Sequence, residues 1–364
     1  MNDGGDKKIA LVAPAPPPNG GMAMQARKLG DKLCAEGLSV TAIPTNPDFP
    51  AFLKWCRNLC GVRTFFRFWV YLLSLRGLRR VDVVHLFASS HWYFFLSVVP
   101  ALLAGKAFGN RVILNYRGGE AEAFFDRWGR AARFFLKSAD EIVVPSEFLQ
   151  EVFRRRMAIE TEILPNIADV DIFSYRERQE FQPIFVVARQ LEPIYGHETI
   201  LQAFARVKQD FPEARLKIAG GGTLQKKLVD RVDDLGLTGV EFLGTLSHQK
   251  LAEVYAGCDI MVNASTADNF PGALIEAFLC GLPVVSTDVG GIPFMIQDQK
   301  NGLMVAPDDA DGLAAAMVQL VRNPELGRRL AENGRLYAQA YQWPEIRKQI
   351  FHLYFPTTEG RKRR

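Results

Sequence analysis

Short apolar, β-branched runs alternate along this chain with longer segments in which apolar residues recur at helical spacing. Such alternation predicts parallel β-sheets whose strands are joined by crossover helices. The predicted strands of the first half are residues 9–13, 40–44, 81–87, 112–116, 142–145 and 163–164. Those of the second half are residues 184–188, 216–219, 240–243, 260–263, 284–287 and 303–306. The pattern therefore predicts an α/β protein with two doubly wound domains.

The series of strands restarts after a polar stretch, 168–182, which we interpret as a linker. We expect a first domain in residues 1–170 and a second in residues 171–340. Both lengths suit single domains, which span about 100–200 residues. The remaining segment, 341–364, begins with a predicted helix that we expect to pack back on the first domain. Two doubly wound domains that face each other are expected to bind a ligand between the carboxyl ends of their strands.

The composition is that of an ordinary globular protein, with 48% hydrophobic and 23% charged residues, but the charge is unevenly distributed. Residues 51–80 contain seven basic and no acidic residues, interleaved with aromatic ones. This combination favours contact with an anionic membrane surface. A core helix with a solvated basic face would have the same composition. A nucleic-acid patch is the least favoured interpretation, and we expect no nucleic-acid partner. The basic tail, 361–364, can add to membrane attraction.

Cysteines and histidines indicate neither a disulfide framework nor a metal site. The five cysteines are scattered and odd in number, which favours a reducing compartment. Cys56 and Cys60 have a spacing that metal sites use, but no second pair accompanies them, and the five histidines show no ligand spacing. The N-terminus lacks a signal-peptide core, and the longest uncharged run, 92–105, is shorter than the roughly 20 residues that span a bilayer. We therefore expect a cytoplasmic protein without a bound metal.

The segment 268–276 carries the most specific chemical signal. Asp268 and Glu276 stand eight positions apart, separated by a turn-prone sequence and the start of a predicted helix, 273–279. A helix N-terminus offers unpaired N–H groups and a positive dipole end to an anion. Asp268 on the loop and Glu276 one turn into the helix can accept hydrogen bonds from hydroxyl groups. A sugar nucleotide carries both phosphates and hydroxyl groups. It therefore suits a site in which backbone amides bind the phosphates and neighbouring carboxylates bind the hydroxyls.

Further candidate ligand residues follow predicted strands. Glycine-rich turns contain Gly20, Gly21, Gly220, Gly221, Gly222, Gly290 and Gly291. Glycine lets the backbone approach a phosphate closely, although each turn is also an ordinary strand-to-helix connection. Neither the dinucleotide nor the P-loop fingerprint is present. Arg189 ends the first strand of the second half, where a guanidinium suits a diphosphate; a solvated strand-end arginine is the alternative.

Together these features resemble the large family of retaining glycosyltransferases with the GT-B fold, in which two Rossmann-like domains face a cleft. The likeness covers nearly the whole chain and is strongest over 184–306. It is carried by the acidic pair, the strand-end Arg189, the turn at Gly220 to Gly222 and the run Gly-Leu-Pro-Val-Val at 281–285. The combination is specific, whereas each piece alone is not.

The resemblance implies that a sugar is transferred from a UDP- or GDP-type donor to a glycan or lipid-linked acceptor, in cell-surface polysaccharide or glycolipid synthesis. It implies no tightly bound metal and no cofactor. Glu276 would hold the ribose hydroxyls and Asp268 those of the donor sugar. Arg189 would bind the diphosphate, with Gly20 and Gly21 closing on it. The residues implied around the phosphates are Asn269, Phe270, Pro271, Gly272, Ala273 and Leu274, and those beside the base are Thr245 and Leu246.

Three departures from the family pattern bear on activity. Tyr195 stands where the family often has a lysine, so one cation for the leaving group is missing. Asp268 is shorter than the usual glutamate. Arg117 replaces a histidine, and we hypothesise that it takes over some of the diphosphate charge. A GT-B protein that binds without transferring and a sugar-nucleotide epimerase on the same fold are therefore alternatives.

Overall fold

The computed structural model describes residues 7–16, 21–48, 62–168 and 171–356, which fall into two compact units. The first unit comprises Met1–Ile167 and Ile346–Arg364, and the second comprises Ala168–Glu345. The units are therefore divided after Ile167 and after Glu345, whereas the sequence places its boundaries after residues 170 and 340. No helix in the described ranges combines the length and the apolar character that a bilayer span requires.

The described part of the first unit contains a six-stranded sheet of order β2-β1-β3-β4-β5-β6, and every pair is parallel. Its strands are β1 Lys8–Ala13, β2 Ser39–Pro44, β3 Val83–Ala88, β4 Arg111–Tyr116, β5 Glu141–Val144 and β6 Glu162–Ile163. Its helices are α1 Gly21–Ala35, α2 Val62–Ser74, α3 His91–Tyr93, α4 Val99–Ala107, α5 Ala121–Leu136 and α6 Glu147–Met157. A 3-10 helix, Leu75–Arg80, and a π-helical turn, Phe94–Val98, complete this set.

Both faces of this sheet are covered, so its central strands are buried throughout, as β3 illustrates. Alternate strand residues such as Leu86 share one core with α2, the π-helical turn, α4, α5 and α6. The opposite face carries His85, which the last helix of the chain contacts through Tyr354. α1 also packs on that face, where its Gly30 approaches Leu11 of β1.

The described part of the second unit contains a parallel sheet of order β12-β11-β10-β7-β8-β9. Its strands are β7 Ile184–Ala188, β8 Arg215–Ala219, β9 Val240–Gly244, β10 Ile260–Asn263, β11 Val284–Thr287 and β12 Leu303–Val305. Its helices are α7 His197–Asp210, α8 Gln225–Asp234, α9 His248–Ala256, α10 Gly272–Leu279, α11 Ala310–Arg322 and α12 Pro324–Ala338. The last helix, α13 Trp343–Tyr354, belongs to the first unit from Ile346 onward. Short 3-10 helices are Pro193–Tyr195, Ile292–Phe294 and Gln339–Tyr341. The predicted pair of doubly wound α/β sheets is confirmed.

The described residues 171–182 of the predicted linker belong to the second unit and are anchored in it by three buried side chains. Phe173 and Phe181 are buried, and the side chain of Arg178 is 1% exposed. The Arg178 guanidinium donates to the carbonyls of Tyr255 in the last turn of α9 and of Cys258 after it, and to those of Cys280 and Gly281 after α10. It also pairs with Asp259 at 3.2 Å. The last carbonyls of a helix have no N–H partner within the helix, and here the Arg178 guanidinium supplies those donors. A residue of the polar stretch therefore supports the carboxyl ends of α9 and α10 from a buried position.

We expect Arg178→Met to destabilise the second unit by about 3–5 kcal/mol, because it leaves Asp259 and several carbonyls buried without their donor. The measurement is urea-induced unfolding of the full chain, followed by circular dichroism. Arg328→Ala is the matched control, since Arg328 is exposed and donates to one carbonyl, that of Gln179. Equal midpoints for the Arg178 variant and the wild type would show that the buried guanidinium is dispensable.

Candidate functional site

The acidic pair lies in the second unit, before and within α10. Asp268 is on the loop that joins β10 to α10, and Glu276 lies one turn into the helix. Pro271 at the N-cap makes no side-chain hydrogen bond to α10. A Cβ built on Gly272 would meet no atom within 4 Å, so space beside the first turn is open. The positive end of the helix dipole is therefore uncapped, which favours an anion at this position.

The loop that carries Asp268 is held by the glycine pair after β11. The amide of Gly291 donates to the carbonyl of Asp268 at 2.8 Å. A Cβ on Gly290 would overlap that carbonyl, and one on Gly291 would overlap the carbonyl of Asn269. Gly290 also has φ +55°, which disfavours other residues. Both glycines therefore fix the position of the loop through backbone contact.

Arg189 follows β7 and its guanidinium donates to the carboxylate of Asp268. Both side chains are 12% exposed. The guanidinium also lies 4.2 Å from the ring centroid of Tyr195, and its Nε is buried without a hydrogen-bond partner. Burial lowers the pKa of Arg189, while Tyr195, Tyr255 and Glu276 act to raise it. The structure therefore brings Arg189 and Asp268 together and leaves one guanidinium donor unused.

Glu276 is half-buried and accepts a hydrogen bond from the hydroxyl of Tyr255 on α9, at 3.4 Å. Tyr255 is fully buried, and burial together with nearby Glu276 raises the pKa of its phenol well above the usual value, so the hydroxyl keeps its proton. Sequence reasoning missed Tyr255, because one tyrosine in a mostly polar helix gives no functional signal. The only available clue is that a buried tyrosine hydroxyl needs a partner.

Residues between the two carboxylates contribute mainly backbone. Leu274 is buried in the core of the unit, whereas Ala273 is half-buried and its carbonyl lies 3.4 Å from the Tyr255 hydroxyl. Phe270 packs beside Tyr341, with 5.4 Å between ring centroids. These side chains therefore anchor the start of α10 by packing. The groups that this segment can offer to a ligand are backbone amides of the first turn.

The glycine-rich turn after β8 packs directly on the segment that follows Arg189. A Cβ on Gly220 would overlap the carbonyl of Arg189, and one on Gly222 would approach the backbone of Leu191 as closely as 2.5 Å. The amide of Leu191 also donates to the carbonyl of Gly221 at 3.1 Å. Backbone packing thus accounts for Gly220 and Gly222, and contact of this turn with a phosphate stays a prediction.

The two residues implied in the base pocket follow β9. Thr245 is exposed and Leu246 half-buried, on the loop that leads to α9. A Cβ on Gly221 would lie 2.8 Å from the Thr245 hydroxyl, so this loop and the glycine-rich turn are neighbours. Their contact with a base stays a prediction.

The remaining candidates lie in the first unit. Gly20 is outside the described residues, and Gly21 begins α1. Arg117 directly follows β4; its Nε donates to Asn115 Oδ1 at 3.0 Å, and its guanidinium also donates to Asn166. Its charge lies over the ring of Phe87, 5.3 Å from the centroid. Burial lowers the pKa of Arg117 to about 10, so it remains a cation at neutral pH.

Arg117 ends a buried chain of hydrogen bonds. Because an arginine can only donate, Asn115 must turn its oxygen toward Arg117 and its NH₂ group toward His85 Nε2, 3.0 Å away. His85 then carries its proton on Nδ1, 2.8 Å from the hydroxyl of Tyr354. Burial, assisted by the charge of Arg117, lowers the pKa of His85 to about 3, so the ring is neutral. Sequence reasoning did not find Asn166 or this chain, whose members are far apart in sequence.

No group of three or more histidine, cysteine, aspartate or glutamate side chains with metal-binding geometry occurs among the described residues.

Two family profiles match consecutive parts of the chain. Glycosyltransferase family 4 matches residues 19–172, and glycosyl transferases group 1 matches residues 171–337. An uncharacterized glycosyltransferase of Methanocaldococcus jannaschii is 27% identical over 278 residues, which are 75% of each protein. A GDP-mannose-dependent α-(1-6)-phosphatidylinositol monomannoside mannosyltransferase of Mycolicibacterium smegmatis is 26% identical over 71% of this chain and 74% of its own length. In contrast, the chain matches 42% of the length of the D-inositol 3-phosphate glycosyltransferase of Saccharomonospora viridis, at 28% identity over 47% of this chain.

Solved structures agree on the fold. Sucrose-phosphate synthase from Thermosynechococcus elongatus matches with a TM-score of 0.77 and 22% identity, over 96% of this chain and 98% of the other. HepE from Anabaena, solved in complex with UDP-glucose, matches with a TM-score of 0.71 and 18% identity, over 95% and 98%. At these identities the likeness establishes the fold alone. Together with the two profiles, it shows that this chain belongs to the GT-B glycosyltransferases of family 4 and group 1.

Proposed function

We propose that this chain is a retaining, metal-independent hexosyltransferase that moves a sugar from a UDP- or GDP-sugar to a glycan or lipid-linked acceptor. The observation that carries the proposal is the convergence of Arg189, Asp268 and the uncapped start of α10, with Glu276 one turn away. HepE has been solved with UDP-glucose, and the mycobacterial relative is named for transfer to a phosphatidylinositol mannoside, which supports both halves of the proposal. We place the protein in cell-surface polysaccharide or glycolipid synthesis, at the cytoplasmic face of a membrane.

Each group has a role that its chemistry suits. The diphosphate lies at the N-terminus of α10, where amides and the helix dipole meet the guanidinium of Arg189. Glu276 accepts from the ribose hydroxyls, and Tyr255 holds its carboxylate in position. Asp268 accepts from hydroxyls of the donor sugar.

In the reaction, the bond between the anomeric carbon and the diphosphate oxygen breaks, and the diphosphate leaves with the electron pair. The acceptor oxygen bonds to the anomeric carbon on the same face, and its proton passes to an oxygen of the departing diphosphate. The negative charge that develops on the diphosphate is stabilised by Arg189 and by the fixed dipoles at the start of α10. The ring of Tyr195 holds Arg189 but, unlike a lysine, adds no full charge.

A GT-B protein that binds a nucleotide sugar or a glycan without transferring it is the second candidate. It is favoured by Tyr195, which packs on Arg189 but supplies no second cation for a leaving diphosphate. Measurements of nucleotide binding and of turnover therefore have to be made separately.

Nucleotide binding tests the site first. We expect one of UDP, GDP and ADP to bind without a metal and Glu276→Ala to weaken that affinity about tenfold or more, because charge-assisted hydrogen bonds to the ribose are lost. Isothermal titration with and without Mg²⁺ gives the affinities. Glu332→Ala removes an exposed carboxylate from α12 and serves as the control. Failure of every nucleotide to bind, or unchanged binding by Glu276→Ala, would refute the site assignment.

The variant Asp268→Asn tests whether Asp268 and the diphosphate compete for the Arg189 guanidinium. We expect this variant to bind the free nucleoside diphosphate several-fold more tightly, since Arg189 no longer has a carboxylate partner, yet to lose at least about 100-fold in turnover. Titration with the nucleotide and a coupled assay for its release measure the two effects. The control is Asp230→Asn, an exposed carboxylate on α8. Weaker binding of the free nucleotide by Asp268→Asn would show that Asp268 does not compete with the diphosphate for Arg189.

The role of Arg117 is tested against a second arginine on the same strand. We expect Arg117→Ala to lower turnover about tenfold or more, because one cation for the leaving group is lost. Arg111→Ala is the control, since Arg111 lies at the opposite end of β4 and bonds to Glu141 and the Leu353 carbonyl. Donor affinity and turnover that both stay at wild-type values in Arg117→Ala would reject the role, and thermal unfolding of each variant verifies the fold.

A further inference from the structure

Exposed apolar side chains are concentrated on one helical layer of the first unit. Thirteen large hydrophobic residues are exposed among those described, and eight belong to this unit. They are Phe65, Trp69, Leu73, Trp92, Leu96, Leu103, Trp128 and Phe134. Phe134 is 74% exposed and Trp92 is 70% exposed, although both residue types are normally withdrawn from water. We call these eight side chains the apolar face.

The apolar face is formed by neighbouring helices. α2, the π-helical turn, α4 and α5 share one core against the sheet, so their outer sides form one surface. The hydroxyl of Tyr71 on α2 donates to the carbonyl of Ser97 in the π-helical turn, at 2.5 Å. On the other side of that turn, the rings of Phe95 and Trp128 lie 5.5 Å apart. The surface therefore extends from α2 across the turn to α5.

Exposed basic side chains, which we call the basic rim, lie on the 3-10 helix that follows α2 and on or directly after α5, and none makes an ion pair with a described residue. They are Arg76, Arg79, Arg80, Arg127, Arg130, Arg133 and Lys137. The guanidinium of Arg127 lies over the ring of Trp128, 5.5 Å from its centroid. Cation and aromatic ring are thus presented together at the surface.

The acidic side chains of this region each have a partner, and Glu120, directly before α5, lies 2.8 Å from His91 Nε2. Between residues 51 and 119 the sequence contains one acidic residue, Asp82, which accepts from the amide of Lys8 at 2.8 Å. On α5, Asp126 pairs with Arg156 of α6 at 3.0 Å, and Glu122 lies 4.0 Å from the same guanidinium. The unpaired charges beside the apolar face are therefore basic.

We propose that the apolar face and its basic rim bind an anionic lipid bilayer. Tryptophan and phenylalanine insert at the level of the lipid headgroups, and arginines beside them attract anionic lipids. A nucleic acid would contact the basic side chains but would gain little from the leucine side chains, whereas a bilayer uses both the apolar and the basic groups. The inference extends the predicted contact at 51–80 to α4 and α5, and residues 51–61 lie outside the described part of the chain. The purpose of this membrane contact rests on the proposed function, because a lipid-linked acceptor would lie in the same bilayer.

Vesicle sedimentation without any nucleotide tests the proposal directly. We expect binding to phosphatidylcholine vesicles that contain phosphatidylglycerol, much weaker binding to pure phosphatidylcholine, and release by salt. The double variant Trp92→Ser with Phe134→Ser should bind at least about tenfold more weakly, because two large apolar groups no longer enter the bilayer. The triple variant Arg127→Gln, Arg130→Gln and Arg133→Gln should lose at least about tenfold as well, since each charge near the surface contributes.

Matched controls come from the second unit. Val229→Ser with Leu336→Ser removes exposed apolar side chains, and Lys300→Gln, Arg328→Gln and Arg329→Gln remove three exposed charges. Both controls should bind vesicles like the wild type, and brominated lipids should quench tryptophan fluorescence less in Trp92→Ser. Equal binding to neutral vesicles, no vesicle binding, an equal loss in the controls, or capture of a single-stranded oligonucleotide through the same arginines would overturn the proposal. All variants should bind nucleotide like the wild type, so failure here is distinguishable from failure of the donor site.

Discussion

Parallel strand pairing is the constraint on which the rest of this structure depends. Because every strand of a parallel sheet runs in the same direction, the segments that follow the strands meet at one edge. In the second unit this brings together segments that are distant in sequence: Arg189 after β7, Asp268 after β10 and Gly290 after β11. Glycines then determine how closely these segments approach. The backbone of Gly290 and Gly291 supports the Asp268 loop, and the turn at Gly220 supports the segment after Arg189.

Much of this arrangement is readable from sequence, for identifiable physical reasons. The strands are buried, β-branched runs, so their pattern persists whatever surrounds them. Asp268 and Glu276 are joined by one turn and the start of one helix, so their spacing alone brings them to the same helix end. Local chemistry of this kind needs no information about distant parts of the chain.

Other features are absent from the sequence because they depend on distant partners. Four of the carbonyls that Arg178 binds lie between 77 and 103 residues further along the chain, so its own segment has the composition of a linker. The glycines of the turn at Gly220 have the composition of a phosphate loop, yet neighbouring carbonyls account for them. The apolar face is divided among helices whose separate sequences are unremarkable, apart from α2. In each case the tertiary neighbour, and not the local residue, determines the role.

Burial lowers the pKa of three arginines, and the three differ in the partners that compensate for the loss of water. Arg178 has Asp259 and a set of carbonyls, which satisfies it and makes it structural. Arg189 has Asp268, a partner that a more strongly charged diphosphate can replace. Arg117 is held by two neutral amides and the ring of Phe87, and no carboxylate among the described residues pairs with it. Since neutral acceptors orient a cation without cancelling its charge, Arg117 keeps a positive potential at the carboxyl end of β4. Neutral acceptors therefore leave Arg117 with the uncancelled charge that its proposed role toward a diphosphate requires.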